Sequence, residues 1–109
     1  MIELAGIDHV SLRVTDVAGA ALRWGAEFGL TERARDGARA RLACDDEPFC
    51  LELVAGDEPG LEHVAYALRR ACSLEDAQAH LEERGVGFEL RGGGLRIDDP
   101  EGNGVLLLP

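Results

Sequence analysis

The sequence predicts an α+β domain built from two βαβββ modules. Strand-like alternation and helix-like apolar stripes follow one another in the same order twice within 109 residues, and matching residues of the two passes are evenly offset. His9 and His63 are 54 positions apart, and so are Glu52 and Leu106 once FCLELV is aligned with NGVLLL. The helix-ending glycines Gly29 and Gly85 differ by 56, so the second pass carries a small insertion there and compensates later. A chain of 109 residues suits one domain, with module one at 1–56 and module two at 57–109.

The first element is IDHVSLRV, where Val10, Leu12 and Val14 alternate with His9, Ser11 and Arg13, the pattern of a half-buried strand. Asp16 is placed to cap a helix through AGAALRWGAEFG, with Ala21, Leu22, Trp24 and Phe28 as its apolar stripe and Gly29 as its stop. Three short strands are expected near Thr31 to Arg35, Ala38 to Cys44 and Phe49 to Val54, separated by turns at Asp36-Gly37 and Asp45 to Pro48.

After Gly56 to Gly60 the order restarts with the strand LEHVAYAL and a helix opened by Ser73, with Leu74, Ala77 and Leu81 on one face. Asp76 stands where a capping box would have Glu or Gln and makes a weaker version of it. Gly85 ends this helix, and the strands GFEL, GLRID and VLLLP close the module through GGG and DPEGN turns. Gly92, Gly93 and Gly94 precede a strand rather than a helix, so they read as a hairpin turn and not as a phosphate loop.

Apolar residues at 46% and charged residues at 29% match a soluble globular chain rather than a disordered or membrane-embedded one. The formal charge of −10 opposes nucleic acid and anionic lipid as partners. It suits a cationic small molecule, but Asp and Glu spread for solubility account for it more simply. Cys44, Cys50 and Cys72 form no CxxC pair, and an odd number cannot close into disulfides, so a reducing, cytoplasmic location is expected. The start of the chain has neither a basic leader nor an apolar run of signal-peptide length, which agrees with that location. Cys44 and Cys50 flank a turn and are able to approach each other, but are read as buried structural thiols. His80 lies on the outer helix and is read as solvated.

Taken together, IDHVSLRVTDV, the helix ending in EFGL, LEHVAYAL and DPEGN before an apolar strand resemble the vicinal oxygen chelate superfamily of glyoxalases, bleomycin-resistance proteins and extradiol dioxygenases. The resemblance spans essentially the whole chain and rests on joint order and spacing. The run from Cys44 through DDEPFCLELVAGDEPGLEHVAYAL is similar to the first domain of catechol 2,3-dioxygenases. The resemblance implies an open, cupped mixed sheet with helices outside and a ligand or metal cavity inside. It also implies four cavity-facing positions, which fall on His9, Glu52, His63 and Leu106.

Two imidazoles and a carboxylate suit Fe(II) or Mn(II), with Zn(II) or Ni(II) also within their range. His9, Glu52 and His63 are therefore the expected metal ligands, and no catalytic residue is assigned. Leu106 has no donor atom, which argues against glyoxalase I activity. Alternation alone also accounts for Glu52 as a solvent-facing strand residue. Three functions stay open. The first is a metal-dependent dioxygenase acting on a catecholic substrate. The others are a non-catalytic dioxygenase-type domain and a metal-free, bleomycin-like drug-binding protein. An open sheet leaves edges and apolar surface for a second copy, so a homodimer is expected.

Overall fold

The computed structural model describes residues 2–109, and the chain has the α+β class expected, with two helices and eight strands in open, mixed sheet. The order is β1 (Leu4–Val14), α1 (Val17–Phe28), β2 (Thr31–Arg35), β3 (Arg39–Ala43), β4 (Leu51–Ala55), β5 (Gly60–Leu68), α2 (Leu74–Glu83), β6 (Glu89–Arg91), β7 (Gly94–Asp98) and β8 (Gly104–Leu108). βαβββ is thus written twice. The chain divides into two compact units, one of His9–Glu62 and one of His63–Pro109 together with the residues up to Asp8.

In the His9–Glu62 unit the strand order is β2-β3-β4-β1. β2 and β4 run antiparallel to β3, while β1 runs parallel to β4 with Val10 opposite Leu51 and Leu12 opposite Leu53. This register follows from the alternation. It places Val10, Leu12 and Val14 with Ala40, Leu42, Leu51 and Leu53 against Val17 and Ala21 of α1. Leu42 and Leu53 are fully enclosed, and each such side chain contributes about 2 kcal/mol by leaving water. Asp16 accepts a hydrogen bond from the Gly19 amide and starts α1, and Gly29, at φ 74°, ends it.

The expected stripe on α1 needs a correction. Val17 and Ala21 are its buried residues, whereas Leu22 is 73% exposed and Phe28 65% exposed. Leu22 sits one residue, about 100° of helical turn, away from Ala21 and so leaves the core face. Phe28 lies in the last turn, where it stacks on Trp24 at 4.8 Å between ring centroids instead of entering the core. Cys44 is exposed and Cys50 half-buried, so the reading of both as buried structural thiols is also overturned. They sit at the two ends of the β3–β4 loop, outside the alternation that encloses Leu42 and Leu51.

In the second unit the order is β5-β8-β7-β6, with β5 parallel to β8 and the remaining pairs antiparallel. Its core gathers Leu68, Cys72, Ala77, Leu81, Leu95 and Leu107, with Tyr66, Ile97 and Val105 packed at its margin. Ser73 opens α2 through a reciprocal capping box. Its hydroxyl accepts from the Asp76 amide at 3.0 Å, and the Asp76 carboxylate accepts from the Ser73 amide at 3.1 Å. Asp76 therefore fulfils the box that its shorter side chain was expected to weaken. Gly92 and Gly93, at φ 57° and 82°, form the two-residue turn joining Arg91 to Gly94, a conformation that asks for glycine at both positions.

Candidate metal centre

One cross-strand row organises the polar face of the His9–Glu62 unit. Glu52 on β4 lies opposite Ser11 on β1 and Arg41 on β3. The Ser11 hydroxyl donates to Glu52 Oε1 at 3.0 Å, and Arg41 Nε donates to Oε2 at 3.0 Å. Arg39 adds a second cation 3.5 Å from Oε2. Ser11 is fully buried and Glu52 only 5% exposed. An ionised carboxylate in such a place costs several kcal/mol unless it is paired, and this one is paired on both oxygens. Burial acts to raise the Glu52 carboxyl, but the Ser11 and Arg41 hydrogen bonds and the charges of Arg39 and Arg41 outweigh it and hold the group below its ordinary 4.5.

His9, two residues before Ser11 on the same face of β1, is 6% exposed. Its ring meets Phe49 at 4.7 Å between centroids, and the Arg41 guanidinium lies 4.5 Å over the other participant in that contact, the Phe49 ring. A ligand nitrogen of His9 and a carboxylate oxygen of Glu52 come within 4.8 Å of each other. Both expected ligands are thus buried, on one face, and close.

His63 occupies the same place on β5 that His9 has on β1, and it is half-buried. Its unit repeats the row in register: Ala65 stands opposite Leu106 and Leu106 opposite Arg96. Ala65, Leu106 and Arg96 therefore replace Ser11, Glu52 and Arg41, so this row keeps the arginine but has neither the carboxylate nor the hydroxyl. His63 belongs to the other unit, and the donors that the His9–Glu62 unit itself brings together are His9 and Glu52.

The chemistry of the donors fits a divalent ion of intermediate hardness. A carboxylate offers about four lone-pair sites, so the partners of Glu52 leave capacity for an ion. Ser11, Arg39 and Arg41 were not singled out from the sequence. Ser11 carried a readable signal, since it shares the face of His9; the two arginines become visible only once the antiparallel β3–β4 register is known.

No protein-family model matches the chain, and no curated protein matches it significantly by sequence. Solved structures do match in fold. A variant of homoprotocatechuate 2,3-dioxygenase from Brevibacterium fuscum in complex with HPCA superposes with a TM-score of 0.87 at 23% identity, covering 98% of this chain and 32% of that one. An extradiol ring-cleaving dioxygenase from the same organism gives 0.87 at 23%, covering 98% and 33%. A Mn(II)-bound glyoxalase from Novosphingobium aromaticivorans gives 0.82 at 19%, covering 98% and 39%. These neighbours are members of the vicinal oxygen chelate superfamily, and the chain has their fold while spanning about a third of their length.

Proposed function

We propose that the chain is a metal-dependent, extradiol-dioxygenase-like protein acting on a small aromatic, catecholic substrate, with His9, Glu52 and His63 as ligands of Fe(II) or Mn(II). The observation that carries this is the buried, adjacent pair His9 and Glu52 on a fold shared with a dioxygenase and a Mn(II) glyoxalase, with His63 at the position of β5 equivalent to that of His9 on β1. A bound ion of this type supplies Lewis acidity and open coordination positions. The chain's own residues do the rest. Arg41 and Arg39 keep Glu52 ionised, Ser11 fixes its second oxygen, and Phe49 holds the His9 ring on the polar face. Their combined effect is to keep Glu52 charged and to hold it and His9 oriented on one face.

Anaerobic loading with Fe(II), followed by simple catechols and oxygen, tests the activity. Oxygen consumption with a ring-cleaved product is expected, together with its loss in His9→Ala. A loaded protein that consumes no oxygen with any catechol contradicts it.

A second reading, a non-catalytic dioxygenase-type domain, is favoured by two observations. Both Glu52 oxygens are already engaged, and the repeat-equivalent position is Leu106. Metal uptake without turnover would select it. On either reading we place the protein in the cytoplasm, because none of its three cysteines is in a disulfide among the described residues. No helix among the described residues is long and apolar enough to cross a membrane.

A further inference from the structure

The loop between β3 and β4 holds a second group of donors that the dioxygenase reading does not use. Cys44 follows the last residue of β3, Cys50 precedes the first residue of β4, and Glu47 lies midway between them. The loop ends are fastened, since the Cys50 amide donates to the Leu42 carbonyl at 2.8 Å. Glu47 folds back over its own loop. The Cys44 thiol donates to Glu47 Oε1 and Oε2 at 3.4 Å each, and the Asp45 amide donates to Oε1 at 2.6 Å. Two thiol sulfurs and one carboxylate oxygen thereby lie within 4.8 Å of one another, with Cys44 exposed and Glu47 and Cys50 half-buried.

We propose that Cys44, Glu47 and Cys50 form a site for a thiophilic divalent cation of the Zn(II) class. Zn–S bonds of about 2.3 Å and Zn–O bonds of about 2.0–2.2 Å place tetrahedral ligands roughly 3.5–4 Å apart. The three donors therefore need to close by about 1 Å or less, within reach of side-chain rotation in a loop. The cation takes the place of the thiol protons, which pass to solvent, and water fills the fourth position on the exposed side. Asp45 and Asp46, both exposed, add negative charge beside the site. The donor set differs from that of His9, Glu52 and His63 in hardness: thiolates select soft and borderline ions, while carboxylate and imidazole accept Mn(II) and Fe(II).

Cadmium is the probe, because its thiolate complexes have an ultraviolet charge-transfer band that imidazole and carboxylate ligands do not produce. Titration of the reduced full chain with Cd(II) alone is expected to raise that band to saturation at one ion per chain. Cys44→Ser and Cys50→Ser should each lower the amplitude and weaken binding by at least about tenfold, as loss of a direct ligand requires. Glu47→Gln should weaken binding and keep the band. Cys72→Ser should change neither. Circular dichroism of each variant verifies the fold, and the serine variants change loop positions outside the strands. No band in the wild-type protein overturns the proposal, as does a band that persists unchanged in either Cys44→Ser or Cys50→Ser. Unchanged affinity in Glu47→Gln removes the carboxylate and overturns the three-donor site.

Discussion

Glu52 has a structural role that does not depend on its proposed role as a ligand. Its carboxylate is buried, and it is tolerated there because Ser11, Arg41 and Arg39 surround it. Replacing Glu52 with Leu should destabilise the fold by about 1–3 kcal/mol, since it strands the fully buried Ser11 hydroxyl without its acceptor; urea denaturation measures this. The pH dependence has a fixed sign. The folded carboxyl titrates below its ordinary 4.5, so its contribution to stability is present above that value and is lost as pH falls through the lower folded value. Glu52→Gln should flatten the decline in stability below about pH 4.5 relative to wild type. A decline of unchanged slope would remove Glu52 from the set of groups that control it. The face taken by His9 and Glu52 was legible because alternation shows which side a strand residue occupies, while their choice as candidate ligands came from the resemblance. Arg41 was not, because its meeting with Glu52 depends on a register between strands that a single strand's pattern does not contain.

The elements follow from local signals where those signals concern the backbone. Asp16 and Ser73 start the helices as their side chains allow, and Gly92-Gly93 turns the β6–β7 hairpin. Ser73→Ala should cost about 1 kcal/mol by breaking the reciprocal box with Asp76, and Asp76→Ala should cost a similar amount without adding to it fully, since both act in one motif. Thermal melts of the two single variants and the double variant check this, and full additivity would contradict a shared box. Signals about side-chain burial carried less far. Leu22 and Phe28 fit a stripe by composition but miss the sheet in space, because α1 presents only a narrow face of small residues around Val17 and Ala21. The strand boundaries moved by a residue or two for the same reason. Leu51 to Ala55 pairs with β1 and β3, while Phe49 is turned to meet His9 instead of continuing the strand.

At the scale of the whole molecule, the duplication is visible in register as well as in sequence. Ser11 faces Glu52 in one unit, and Ala65 faces Leu106 in the other, at the same offset of 54 residues. The polar row survives in one copy, while the second keeps its arginine, Arg96, and replaces the hydroxyl and the carboxylate with Ala65 and Leu106. Leu22 and Phe28, exposed at 73% and 65%, leave apolar surface on α1 that we expect a second copy of the chain to cover. Light scattering should report a homodimer that Leu22→Glu with Phe28→Glu converts to monomer, and a wild-type monomer at high concentration would contradict this. The central proposal is that His9, Glu52 and His63 bind one divalent ion. Titration with Mn(II), followed by electron paramagnetic resonance of the free ion, tests it most directly, because this hard ion discriminates against the Cys44 and Cys50 thiols. One Mn(II) per chain should be withdrawn from solution by the wild-type protein and none by a folded His63→Ala variant; equal uptake by the two would contradict the account.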